Sequence, residues 1–142
     1  MPGKATTNKP ALKSQAKHLP PGHLKIMEAL KTLLGEKQFN LITWAEIAET
    51  AGVTQGLIYK YFQDKRNLLY VVLADYLGDF LSDVESKIAD INGGLNKLRW
   101  ITHLTFKIYN ENRVFAKILL LEVRSSPGYF QSETYLMVKN YA

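Results

Sequence analysis

The sequence predicts an all-α fold, and three observations carry that prediction. Apolar residues recur at helical spacing along most of the chain after position 21. Capping residues and glycine breaks punctuate that pattern repeatedly. No segment alternates apolar and polar residues as a half-buried strand does. The expected arrangement is an N-terminal three-helix unit with a helix-turn-helix, followed by a second helical unit that is apparently truncated.

Residues 1–20 carry spaced lysines, Thr-Thr-Asn and prolines without apolar periodicity, and read as a disordered basic arm. A first helix is expected from Gly22 to Lys37, because Ile26, Met27, Leu30, Leu33 and Leu34 form one stripe. Phe39 closes the same core. Thr43 and Glu46 form a Thr-x-x-Glu capping box that starts a second helix, with Ala45, Ile47 and Ala48 as its small apolar face. Gly52 supplies the positive-φ position of a sharp interhelical turn. Thr54 caps a third helix whose Leu57, Ile58 and Phe62 face inward.

Asp64 is the expected N-cap of a long helix reaching about Ala89, with Leu69, Leu73, Tyr76, Leu77, Phe80, Val84 and Ile88 on one side. Asn92-Gly93-Gly94 breaks the chain. Helices from about Leu95 to Asn110 and from about Arg113 to Arg124 follow. Ser125-Ser126-Pro127-Gly128 is a turn, and a last helix begins near Ser132 and runs to Ala142. The run Ile118-Leu119-Leu120-Leu121 is apolar around most of its helix, which fits burial on several sides or a subunit contact. The domain division expected is 1–20 as the arm, 21–70 as the helix-turn-helix unit and 71–142 as a partial regulatory unit.

Composition bounds the function. An apolar content of 46% in 142 residues permits a real core and argues against wholesale disorder. No apolar run approaches the roughly 18 residues that cross a bilayer. The N-terminal lysines are not followed by a secretory apolar segment, and cysteine is absent, which fits a cytoplasmic protein. The net charge of +5 belongs mostly to the arm: residues 1–20 contribute +4, residues 21–70 +1 and the remainder nothing. Net basicity is therefore weak support for nucleic acid.

Enzymatic chemistry finds no footing. His18, His23 and His103 have no metal-ligand spacing with one another or with nearby carboxylates. There is no nucleophile elbow, P-loop or dinucleotide fingerprint. Asp79 and Asp83 stand at i, i+4 on a solvated face. No enzyme activity, cofactor or metal is expected.

The stretch from Thr43 to Phe62 points elsewhere. With Leu57, Ile58 and Phe62 inward, Gln55, Gly56, Tyr59, Lys60 and Tyr61 lie on or near the outer face of the third helix. One of the two tyrosines is expected to be partly buried. An amide, a cation and two phenols on a compact helix pair suit a helix-turn-helix that reads DNA. Thr43 and Thr54 stand at helix N-termini, where a hydroxyl and free N–H groups suit a phosphate oxygen, although each serves equally as a plain cap. Gln55 is suited to a base edge in the major groove. Gly56 is costly inside a helix, so its presence implies that something approaches the backbone closely.

Residues 24–73 resemble the DNA-binding domain of the tetracycline-repressor-like (TetR) transcriptional regulators. The resemblance rests on Ile26-Met27-Glu28-Ala29-Leu30, Phe39, Thr43, Glu46-Ile47-Ala48 and the run from Ala51 to Phe62, with Lys65, Leu68 and Leu69 after it. It implies phosphate contacts from Tyr59, Lys60 and Tyr61, and a phosphate anchor in Lys65. The chain departs from the family pattern in Gln38-Phe39 where Gly-Phe is common, in Glu46 where aspartate is common, and in Gln55 where lysine is frequent. Base preference is therefore not carried over.

The resemblance further implies a helical ligand-binding and dimerisation unit after residue 70. Residues 116–135 resemble members near the fatty-acid-degradation regulators, which implies a small hydrophobic effector, acyl-CoA-like. The candidate pocket residues are Trp100, His103, Leu104, Phe106, Lys107, Phe115 and Leu119, each of which serves ordinary packing in the plainer reading. Family members continue with two further helices that build a dimer interface, so a homodimer is expected of the full-length form. The functional expectation is a sequence-specific DNA-binding transcriptional regulator, a repressor released by its ligand. The alternative is a helical ligand-binding or protein-interaction module that keeps the fold without binding an operator.

Overall fold

The structure is a computed structural model that describes residues 19–123, 126–132, 135, 136 and 139. The arm expected at 1–20 and the helix expected from Ser132 lie largely outside these residues. Helix α1 spans Pro21–Glu36. Pro21 sits at its first position, where the missing N–H costs nothing and the fixed φ favours entry. The helix ends when Lys37 turns extended at φ −143°, and Gly35 stays inside it. A short 3₁₀ turn, Phe39–Leu41, follows.

Helix α2, Trp44–Ala51, carries the expected capping box. Thr43 Oγ1 accepts from the Glu46 N–H at 3.3 Å, and the Thr43 N–H donates to Glu46 Oε2 at 2.8 Å. Gly52 then adopts φ 64°, the left-handed conformation that lets the chain reverse without a Cβ penalty. Helix α3 spans Gln55–Tyr61, and Thr54 Oγ1 accepts from the Leu57 N–H at 3.3 Å. Helix α4 spans Lys65–Ile88, and Asp64 accepts from the Asn67 N–H at 2.7 Å.

Helix α1 is the hub of the packing. Ile26, Leu30 and Leu34 are buried in one cluster with Ile47 of α2, Ile58 of α3, Phe62, and Leu68, Leu69, Val72 and Leu73 of α4. Burying each such aliphatic side chain is worth about 1.5–3 kcal/mol, which exceeds anything helix propensity offers in a seven-residue segment such as α3. The same cluster continues into Phe115, Ile118, Val123 and Tyr129. Helix α4 runs unbroken across the boundary expected at 70/71, so both parts of the chain share one core.

Helix α5, Gly94–Glu111, has no buried residue. It is followed by α6, Arg113–Lys117, capped by Asn112 Oδ1 on the Phe115 N–H at 3.0 Å. The helix expected to run smoothly to Arg124 instead changes to a π-helical turn over Ile118–Val123. Within that turn Ile118 and Val123 are buried, but Leu120 and Leu121 are exposed. The run is thus packed on one side only. A 3₁₀ turn, Pro127–Gln131, takes up the Pro127-Gly128 half of the expected turn, with Ser126 as its N-cap.

Candidate nucleic-acid interface

The interface is built on α3, and α3 is held from behind. Ile58 and Phe62 are fully buried and Leu57 is half-buried. With that side anchored, Thr54, Gln55, Gly56, Tyr59 and Lys60 are all exposed. Tyr61 is half-buried and lies edge-on to His23 at 5.6 Å between ring centroids. Of the two tyrosines, then, Tyr61 is the one partly spent on packing, while Tyr59 remains 56% exposed.

Tyr59 has a neighbour that the sequence did not flag. The indole of Trp44, first residue of α2, meets its ring at 5.6 Å and 61°. The available signal was position: Trp44 directly follows a capping threonine and so stands at the mouth of the helix pair. His23, within the helix expected from Gly22, is in the first turn of α1, and its ring centroid lies 4.6 Å from that of Phe62. Its Nδ1 is buried without a hydrogen-bond partner among the described residues, and burial pushes its pKa below the ordinary value.

Gly56 meets almost nothing among the described residues. Outside its own helix and neighbours, only Thr54 Oγ1, at 3.9 Å, lies near the place a Cβ would take. The close approach is instead at Gly22, where a Cβ would stand 3.0 Å from Leu57 Cδ2. Packing thus accounts for Gly22 and leaves the helix cost of Gly56 without an internal reason.

The Thr43 end of the interface is charged and ordered. Lys37 Nζ pairs with Glu46 Oε1, and the Thr43 hydroxyl donates to Glu46 Oε2 at 3.0 Å. The Lys37 ammonium above all, then the Thr43 N–H and hydroxyl, hold the Glu46 carboxyl down to about 2. Glu46 is therefore a carboxylate whose charge Lys37 balances.

Lys65 has partners other than the phosphate expected of it. Its Nζ donates to the carbonyl oxygens of Ile42 at 2.6 Å and Phe39 at 3.1 Å. It also lies over the Phe39 ring at 4.7 Å. Burial pushes its pKa below the ordinary lysine value, against the opposing pull of Glu122 and Glu46. Two of its three donors thus tie the loop that delivers Thr43 to α2.

The expected effector residues do not converge. Phe115 lines a cavity of about 390 Å³, walled by Tyr76, Asp79, Phe80, Asp83, Ile108, Glu111 and Asn112 as well, and the other six do not join it there. His103, Phe106 and Lys107 face solvent, and Trp100, Leu104 and Leu119 are half-buried. The reason is the loose seat of α5, whose apolar residues were indistinguishable in sequence from a pocket lining. Sequence reasoning also missed Ser126, read only as part of a turn. It is buried and joins Arg66 Nη1 at 2.6 Å and the Tyr70 hydroxyl at 2.9 Å. Among the described residues no group of three or more His, Cys, Asp or Glu side chains gathers as a cation site, and no helix is long and apolar enough to cross a membrane.

A capped helix pair joined at a left-handed glycine, displaying polar and aromatic groups from a core-anchored second helix, defines a helix-turn-helix domain. Comparison with known proteins agrees: residues 26–71 match the family described as bacterial regulatory proteins, tetR family. The chain is 34% identical over 99 residues to the uncharacterized HTH-type transcriptional regulator YxbF of Bacillus subtilis, covering 68% of this chain and 26% of that protein. It is 25% identical over 121 residues to the fatty acid metabolism regulator protein of Bacillus subtilis, covering 85% of this chain and 62% of that protein. In fold it matches the transcriptional regulator FadR of Bacillus subtilis, solved with stearoyl-CoA, at a TM-score of 0.73 and 24% identity over 84% of this chain and 64% of that one. FadR of Bacillus halodurans gives the same TM-score, 0.73, over 87% and 64%. The chain thus spans between 26% and 62% of the length of these two curated relatives.

Proposed function

We propose that the chain acts as a sequence-specific DNA-binding transcriptional regulator, a repressor released by a small hydrophobic ligand. The observation that carries this is the outer face of α3: Gln55, Gly56, Tyr59 and Lys60 exposed together on a helix fixed from behind by Ile58 and Phe62. In this reading α3 enters the major groove, with Gln55 at a base edge. Thr43, Thr54, Tyr59, Lys60 and the exposed edge of Tyr61 hold phosphates, and Lys65 supports the loop beside them. A homodimer places two such faces on one operator. No catalytic role is assigned, and the protein works in the cytoplasm, where its DNA is.

The effector belongs in the cavity beside Phe115. Tyr76, Phe80, Ile108 and Phe115 offer an apolar wall, and the volume falls in the range of small-molecule sites. The likeness to a regulator solved with stearoyl-CoA supports an acyl-chain effector. Exposed Asp79, Asp83 and Glu111 argue that the phosphates of such a molecule lie away from this cavity.

The test is selection of duplexes from random sequence by the chain, then titration of a selected duplex at several salt concentrations. A regulator recovers a common motif and binds it far more tightly than scrambled DNA, with a steep salt slope. Recovery of no motif overturns the reading in favour of a fold-retaining interaction module.

A further inference from the structure

Lys117 ends α6, yet its ammonium serves α1. Nζ donates to the carbonyl oxygens of Leu34 at 2.9 Å and Lys37 at 2.8 Å, positions 83 and 80 residues earlier. These belong to the C-terminal end of α1, where a helix leaves carbonyls without internal partners and where its dipole favours a cation. Helix α1 has no basic residue in its own last turn. Lys37, at its C-cap, turns its side chain away to Glu46.

Lys37 therefore joins two contacts. Its carbonyl accepts from Lys117, and its ammonium holds the Glu46 carboxylate. Glu46 in turn closes the capping box on Thr43 through the Thr43 N–H at 2.8 Å and hydroxyl at 3.0 Å. Hydrogen bonds, the Lys37–Glu46 ion pair and the backbone and side chain of Lys37 itself connect the end of α6 to the first residue of the helix-turn-helix. The far end of that run is also defined: Asn112 and Phe115, which cap and form α6, wall the 390 Å³ cavity.

We propose that Lys117 is a positioning residue for the DNA-facing helix pair, acting through Lys37 and Glu46 to set where Thr43 stands. Its functional meaning rests on the DNA-binding reading above; its structural half stands without DNA. Lys117 touches no nucleic acid in this scheme.

The test uses the full chain with Lys117→Met, which keeps the alkyl stem and removes the donors and charge, and Lys117→Arg. In amide NMR spectra, the Thr43 and Glu46 resonances of the Met variant are expected to move, and those of the Arg variant to return toward wild type. On a duplex selected by the wild-type chain, Lys117→Met is expected to weaken binding by about tenfold, within the range by which residues distant from a ligand modulate coupling. The salt slope is expected to stay unchanged. In a Lys37→Met background, where the path to Glu46 is already cut, Lys117→Met is expected to add less than about twofold.

Unmoved Thr43 and Glu46 resonances overturn the proposal, as does a lowered melting temperature with unchanged DNA affinity. A salt slope reduced by about 0.9 overturns it too, because Lys117 would then be a phosphate contact. Should Lys117→Met fail to fold, Lys117→Gln, which keeps one donor group, is read by the same criteria. If the wild-type chain selects no duplex, the DNA-binding reading falls, while the resonances still decide whether Lys117 positions Thr43.

Discussion

The Lys65 ammonium lies 2.6 Å from the carbonyl oxygen of Ile42, the residue immediately before the Thr43 cap. Together with its bond to Phe39 it closes the loop between α1 and α2 from the far side of the helix pair. A lysine used in this way contributes to stability more than to counterion release.

Lys65→Met and Lys60→Ala separate those two uses. Lys60 is exposed and its loss is expected to reduce the slope of log K against log salt by about 0.9, the value of one phosphate contact. Lys65→Met is expected to leave the slope unchanged and to lower unfolding free energy by about 1.5–3 kcal/mol, the range for hydrogen bonds to a charged group. Salt-series binding and urea unfolding measure both. A full-unit loss of slope in Lys65→Met would restore the phosphate role.

Gly56→Ala sets folding against binding. A Cβ at Gly56 meets only Thr54 Oγ1, at 3.9 Å, so the free protein accommodates it. Alanine's better helix propensity is expected to stabilise the free chain by up to about 1 kcal/mol. DNA affinity is expected to fall by about tenfold or more, equivalent to about 1.4 kcal/mol. Thermal unfolding and duplex titration give the two signs. Equal affinity in the variant would show that the backbone at Gly56 approaches nothing.

Trp44 and Tyr59 make a prediction about geometry. Their edge-on contact holds the phenol of an otherwise exposed side chain in one place. Trp44→Phe is expected to retain most of the binding. Trp44→Ala is expected to weaken it about three- to tenfold, in line with the 0.5–1.5 kcal/mol of an aromatic pair, without changing sequence preference. Tyr59→Phe keeps the ring pair and loses the hydroxyl, so it isolates the phosphate contact. If Trp44→Ala changes base preference instead, Trp44 reads DNA directly.

What was legible in the sequence divides by distance along the chain. Thr43 with Glu46, Gly52, Thr54 with Leu57, and Asp64 with Asn67 are local arrangements, and each stands where its residue types require. The partners of Lys117 and Ser126 are 56 to 83 residues away, and no local pattern announces them. The π-helical turn at Ile118–Val123 was hidden for another reason. A four-residue apolar run reads alike whether the backbone bonds step by four or by five. Helix α5 shows the remaining limit: Phe106, placed in a pocket by its apolar character, is 69% exposed, because periodicity defines a face without saying what covers it.

Glu46 makes the last prediction, and its sign follows from its partners. Its folded pKa of about 2 lies below the ordinary 4.5, with the Lys37 ammonium as the leading cause. A carboxylate depressed on folding contributes stability that is complete above its unfolded pKa and is lost as pH falls through its folded one. The window is therefore from about pH 4.5 down to about pH 2. Wild type is expected to lose stability across that window more steeply than Glu46→Gln, which has no proton to take up. The comparison is the urea midpoint at half-unit pH steps for both proteins, and parallel curves would mean that Lys37 and Glu46 are not paired in solution. Lys37→Met is expected to flatten the same window only in part, since the Thr43 N–H and hydroxyl still favour the ionised carboxyl.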